Sequence, residues 1–200
     1  MNLYIIRHGQ TEWNVQKRLQ GWKNSNLTKQ GMKNTENLSY RLKDIEFDYI
    51  YSSPQERAID TANIIKRDKD IDINILDGLK EIGFGTWEGM DIDTINSKFG
   101  DKFETYLNRP HLYEPIDGES FEDIFKRVRK SLTDIINNGG DNVFIVSHGV
   151  TIKVLTAIIK DIPLKELYNI PIYEGTALNI CRVKEKEIKF IVEGDTSHMD

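Results

Sequence analysis

Two short segments constrain this chain more than anything else in it. Leu3-Tyr4-Ile5-Ile6 and Val143-Phe144-Ile145-Val146 are uninterrupted apolar, β-favouring runs. Each leads into a His-Gly pair, Arg7-His8-Gly9 in the first case and Ser147-His148-Gly149 in the second. A strand without polar alternation has to be covered on both faces, which demands a sheet with helices above and below it. In such sheets ligands bind outside the carboxyl ends of the strands, so both His-Gly junctions fall where an open α/β fold keeps its chemistry. One junction proves little; two are a candidate site.

The residue types at the first junction suit a phosphate. Arg7 offers a charged planar fork, His8 a nucleophile or acid near neutral pH, and Gly9 a close approach of the backbone. The stretch Gln10–Lys29 is polar and irregular and includes Trp13 and Trp22, which reads as a loop able to wrap a site.

The remaining pattern alternates strands with helices. Thr28 predicts the cap of a helix running from near Gly31 to Leu42, and Phe47–Tyr51 reads as a strand. Ser52-Ser53-Pro54 predicts a turn, a cap and a helix start, with Arg57 in the first turn beside the free amides of a helix end. Ile71, Ile73 and Ile75 suggest an edge strand, and Glu81 follows in a turn. Two short helices are expected over Asp91–Phe99 and Lys102–Leu107. Ser120 predicts the cap of a longer helix striped with Phe121, Ile124, Phe125, Val128, Leu132, Ile135 and Ile136. A helix over Thr151–Ile159 follows the second junction, and a hairpin of Ala177–Val183 and Glu187–Val192 turns at 184–186. The expected architecture is one α/β domain spanning 1–200, its central sheet mixed but mostly parallel.

Charge and composition exclude some functions. With a formal charge of −5 and a pI near 5.5 there is no basic field to hold nucleic acid. No apolar run approaches membrane-spanning length and no basic region precedes one, so a soluble cytoplasmic protein without a membrane partner is expected. Cys181 stands alone in an alternating segment and reads as a core thiol. His111 and His198 read as exposed loop residues.

Arg7-His8-Gly9-Gln10-Thr11, with Trp13-Asn14 after it, resembles the opening of the histidine phosphatase superfamily, the phosphoglycerate-mutase-like proteins. Further pieces agree in order: Gln20-Gly21-Trp22, Leu27-Thr28-Lys29-Gln30-Gly31, Ser52 to Ala62, Glu81 to Gly89, Gly118-Glu119-Ser120 and Val146 to Gly149. Gln10, Asn26 and Gln55-Glu56 depart from the usual pattern, and none removes a group that the chemistry needs. The resemblance implies a three-layer α/β/α sandwich with residues 91–118 as a cap over the active site. It implies His8 as nucleophile, one ring nitrogen attacking while a backbone carbonyl holds the other, to give a phosphohistidine. Arg7, Arg57, His148 and the amide of Gly149 would ring the phosphoryl group, with Asn14, Gln20 and Gly21 completing the binding site. His148 is expected to be protonated against the dianion. Glu81 is the implied proton donor, with Glu88 the competing carboxylate, and Trp22, Phe84, Trp87 and Met90 are candidates for the leaving-group side.

The expected activity is that of the broad-specificity phosphatase branch: a metal-independent and cofactor-independent phosphomonoesterase acting on a small phosphorylated metabolite. A cofactor-dependent phosphoglycerate mutase and a non-catalytic phosphate-binding regulatory module are the alternatives. The acidic, polar stretch Asp91–Asn96 and the short chain argue against the mutase. Oligomeric state stays open, a homodimer being one option.

Overall fold

In the computed structural model, which describes residues 1–185 and 187–199, β1 (Asn2–Arg7) lies inside a six-stranded sheet. After it come α1 (Glu12–Val15), α2 (Lys29–Arg41), β2 (Tyr49–Ser52), α3 (Glu56–Lys66) and β3 (Ile73–Ile75). The second half holds α4 (Ile92–Asn108), α5 (Phe121–Asn138), β4 (Asn142–Ser147), α6 (Gly149–Lys160), β5 (Leu178–Lys184) and β6 (Glu187–Asp195). The strand order is β3-β2-β4-β1-β5-β6. The first four strands are parallel, and β5 and β6 add an antiparallel edge.

The period of two along β1 explains the layers. Leu3 and Ile5 point into a core shared with Phe121, Ile124 and Val128 of α5 and Val154 of α6. Tyr4 and Ile6 point the other way, against Leu38 of α2 and Ala58, Ala62 and Ile65 of α3. Both faces are apolar because both are covered. Each fully buried Leu, Ile or Phe contributes about 1.5–3 kcal/mol relative to exposure, so a charge at any of these four β1 positions would be severe.

The crossovers place the site. From β1 the chain leaves by α2 on one face, whereas from β4 it leaves by α6 on the other, and these two strands are adjacent. Their carboxyl ends therefore open a crevice at a topological switch point. Arg7 is paired with Ser147, and the His8 amide donates to the Ser147 carbonyl at 2.9 Å, so the two His-Gly junctions stand side by side.

The elements depart from the sequence reading in three places. The helix at Arg57 begins after Gln55, which makes no side-chain cap, and neither Ser52 nor Ser53 caps it. Asn24 Oδ1 accepts the Arg57 amide at 3.1 Å instead, so a distant loop does the capping. The two short helices expected after Asp91 form one run, α4, interrupted by non-helical backbone at Phe99 (φ −135°, ψ 28°). The hairpin is present, but of its turn Lys186 lies outside the described residues. His198 is buried, with Nε2 3.2 Å from Thr176 Oγ1, because the C-terminal segment folds back onto α2, where Asn37 donates to its carbonyl. Cys181 is a free thiol in the core, as expected, and burial pushes it up to about 12. Among the described residues no helix is long and apolar enough to cross a membrane.

Candidate active site

A pocket of about 250 Å³ opens at the switch point. Its wall carries Arg7, His8, Asn14, Gln20, Gly21, Arg57, Glu81 and Gly149, all anticipated from the sequence. His148 is the exception. Its ring lies behind the wall, fully buried, with its centroid 5.1 Å from that of His8.

The tautomer of His8 follows from its neighbours. Nδ1 lies 2.8 Å from the Gly9 carbonyl oxygen, an acceptor only, so Nδ1 carries the proton and Nε2 the lone pair. Arg57 Nε donates to that lone pair at 3.2 Å. Burial, then the charges of Arg57 and Arg7, hold the imidazole well below its ordinary pKa. His8 is thus a neutral base aimed by a backbone carbonyl into a cationic pocket.

Arg57 is 1 % exposed, so it is no surface cation. Its fork is largely taken up by the loop after α1. Nη1 donates to the Lys23 carbonyl at 2.7 Å and Nη2 to that of Gly21 at 2.9 Å. Burial lowers its pKa to about 10, which still leaves it charged at neutral pH. Gly21 has φ +52°, and a Cβ there would collide with the Glu88 carboxylate, so glycine is required for this carbonyl to face Arg57. Arg7 has more to give: Nη1 donates to the Tyr173 carbonyl at 3.3 Å, while Nε is buried without a partner.

Asn14 is oriented by a capping box. Its Oδ1 accepts from the Thr11 amide and the Thr11 hydroxyl, both at 3.0 Å, which turns the amide nitrogen outward on the pocket wall. Gln20 spends its side chain on the loop, donating to Thr11 Oγ1 at 2.8 Å and accepting from Ser25.

Glu81 is no solvated turn acid. His148 provides no side-chain cap for α6, and Glu81 fills that place. Oε1 accepts the amides of Ile82 at 3.0 Å and Thr151 at 3.2 Å. Oε2 accepts only the Val150 amide, at 3.2 Å, and so retains room for a proton. Glu88 is not on the pocket wall: Oε1 accepts from the amides of Trp22 and Phe84 and ties the loop together.

At His148, Nε2 lies 2.7 Å from Ser53 Oγ, whose own proton goes to the Gln55 side chain. Nε2 is therefore the donor, and Nδ1 is left buried with a bare lone pair and no partner. Burial first, then Arg57, His8 and Arg7, depress this imidazole too. Burial and the surrounding cations thus favour the neutral ring in the free protein, whereas the protonated clamp is expected of the site with a dianion bound.

On the leaving-group side Phe84 lines the pocket, whereas Trp22, Trp87 and Met90 do not. Trp87 is core, packed edge-on against Phe103 and Tyr106. Trp13, Leu19, Ile92, Tyr106 and Ile172 line it instead, with Lys17 and Arg18. Trp13, Lys17, Arg18 and Leu19 belong to the loop expected to wrap a site, and Ile92 and Tyr106 to the stretch expected as a cap, but no local signal singled out the individual side chains. Ile172 comes from a loop far away in sequence.

A model of the histidine phosphatase superfamily (branch 1) matches residues 3–196. A putative phosphoserine phosphatase 2 of Hydrogenobacter thermophilus is 33% identical over 168 residues, covering 84% of this chain and 83% of the relative. A 2,3-bisphosphoglycerate-dependent phosphoglycerate mutase of Pelagibacter ubique is 30% identical, with 94% and 92% covered. Among solved structures, Bacillus stearothermophilus YhfR superposes with a TM-score of 0.96 at 39% identity, covering 100% of this chain and 99% of that one.

Proposed function

The chain belongs to the histidine phosphatase superfamily, and from that premise we propose that it hydrolyses small phosphate monoesters through a phosphohistidine on His8. The observation that carries this is the His8 ring: Nδ1 on the Gly9 carbonyl, Nε2 bare toward Arg57, and a pKa held low.

The steps follow from the geometry. The lone pair of Nε2 attacks phosphorus, and the Arg57 Nε–H, still on the guanidinium, turns its hydrogen bond from Nε2 to a phosphoryl oxygen. The bond from phosphorus to the ester oxygen breaks, and the departing alkoxide takes a proton from Glu81 Oε2. Arg7, Arg57 and the amide of Gly149 face the charge that spreads over the equatorial oxygens. Water then attacks phosphorus and gives its proton to the Glu81 carboxylate. The N–P electron pair returns to Nε2, and inorganic phosphate leaves. His148 joins by taking up a proton at Nδ1 when the dianion enters, turning from neutral base to cationic neighbour.

In this reading residues 91–118 act as the cap, contributing Ile92 and Tyr106 to the leaving-group side. The cytoplasm is its setting in this reading, a reducing compartment in which a free buried thiol such as Cys181 persists. No metal takes part, a reading that rests on the cations and donors already converging on the pocket.

The test is a panel of monoesters followed by trapping. p-Nitrophenyl phosphate and O-phosphoserine should release phosphate, in the presence of EDTA as well. Rapid quench should give acid-labile, base-stable label on His8. His8→Ala should remain folded and inactive. Label on another residue, or activity that EDTA abolishes and Mg²⁺ or Zn²⁺ restores, would overturn the reading.

A further inference from the structure

The segment Gly78–Glu81 delivers the acid to the pocket, yet beyond one 3₁₀ turn it belongs to no helix or strand. Its four carbonyls are nevertheless all taken by side chains. The Leu79 carbonyl accepts from Ser147 Oγ at 2.8 Å, and the Lys80 carbonyl from Thr151 Oγ1 at 2.6 Å. The Glu81 carbonyl accepts from Trp22 Nε1 at 2.9 Å. The remaining donors come from one residue of α5. Arg127 Nη1 reaches the carbonyls of Gly78 and Lys80, both at 2.8 Å, and Nη2 that of Glu81 at 3.0 Å.

The other side of the same guanidinium is gripped by Glu119. Nε donates to Oε1 at 2.6 Å and Nη2 to Oε2 at 2.7 Å. All five N–H donors of Arg127 are thereby used, an arrangement that the three donors of a lysine cannot copy. Glu119 Oε2 also accepts the Gly83 amide at 3.3 Å, so the pair holds the chain on both sides of Glu81. Gly78 makes room for this. A Cβ there would lie 3.0 Å from the Arg127 carbonyl and inside the Ser131 side chain, so only glycine lets the segment approach α5.

We infer that Arg127, oriented by Glu119, is a positioning residue that sets Glu81 Oε2 at the leaving oxygen. The inference rests on Glu81 being the proton donor of the reading above. Arg127 is absent from the pocket wall and touches no reacting atom. Its effect runs through an irregular backbone that nothing else of comparable valence fixes. A general acid has to lie within hydrogen-bond reach of its target, and a displacement of 1 Å can cost about 10²-fold.

The experiment measures the single-turnover rate of enzyme phosphorylation for wild type, Glu81→Gln, Arg127→Lys and the double variant. The substrates are O-phosphoserine, whose alkoxide needs a proton, and p-nitrophenyl phosphate, whose phenolate leaves without one. Arg127→Lys should slow phosphorylation by phosphoserine about 10²-fold and by p-nitrophenyl phosphate less than about threefold. In the Glu81→Gln background it should cost nothing more on phosphoserine. Equal losses on both substrates, or losses that add in the double variant, would overturn the inference. If Glu81→Gln itself falls equally on both substrates, Glu81 is not the proton donor and the role of Arg127 goes with it. Should Arg127→Lys fail to accumulate, Glu119→Gln carries the same measurement with the same expected selectivity.

Discussion

His8 and His148 make the same physical compromise. Each is buried among arginines and each is held well below an ordinary histidine pKa, with burial the first cause. Their rings are 5.1 Å apart, so the first to gain a proton opposes the second and the two titrate as a pair. The consequence for stability has a definite sign. Below about pH 6.5 an unfolded chain binds two protons that the folded chain refuses, so stability is lost as pH falls and is complete above that value. Both groups contribute with the same sign, so the protein should be less stable at pH 5 than at pH 7.5. Urea midpoints at the two pH values should show this, and His148→Gln should remove about half of it. An unchanged difference in the variant would refute the neutral pair. Binding has the converse sign: phosphate entering at pH 7 raises the pKa of His148 and draws in a proton at Nδ1. Calorimetry of phosphate binding in buffers of different ionisation enthalpy should show uptake of about one proton, absent in His148→Gln.

At the scale of elements, the groups proposed for catalysis are also fasteners of the fold. Glu81 caps α6, whose own N-cap residue offers no side-chain bond, so the helix end fixes the carboxylate while the carboxylate satisfies the helix. Arg57 fastens the loop that follows α1, holding the carbonyls of Gly21 and Lys23 while Asn24 caps the helix beneath it. Arg57→Met should therefore do more than abolish turnover. Two carbonyls and a histidine nitrogen lose a charged donor, and unsatisfied buried groups cost about 1–3 kcal/mol each. A loss of about 3 kcal/mol in urea unfolding is expected, together with faster proteolysis between Gly21 and Asn24. Stability within about 0.5 kcal/mol of wild type would mean that Arg57 does not fasten this loop.

The whole molecule shows why the sequence was legible where it was. The skeleton of the candidate site lies at strand ends and helix starts, whose local chemistry stands out: an apolar run stopping at Arg7-His8-Gly9, or a helix following His148-Gly149. The leaving-group wall was illegible because it is assembled by tertiary contact. Ile92 and Tyr106 come from α4 and Ile172 from the loop before β5, and nothing local marks them. The capping role of Glu81 and the burial of His198 were hidden for the same reason. Each depends on a partner about 20 or more residues away.

That wall also bears on the choice between hydrolysis and mutase action, which is a property of the pocket as a whole. A mutase has to shelter its phosphohistidine from water until the alcohol returns in its second orientation. Here two apolar residues of the pocket wall, Ile92 and Ile172, are 39% and 49% exposed, so this side of the pocket is open to solvent. Water, near 55 M in bulk and admitted freely, then competes with an alcohol at millimolar concentration. Incubated with 3-phosphoglycerate and 2,3-bisphosphoglycerate, the enzyme should release inorganic phosphate faster than it forms 2-phosphoglycerate. Both products can be followed in one reaction, by molybdate assay and by coupling to enolase. Formation of 2-phosphoglycerate many times faster than phosphate would mean that the pocket closes in solution, and the chain would then be a mutase like its relative in Pelagibacter ubique.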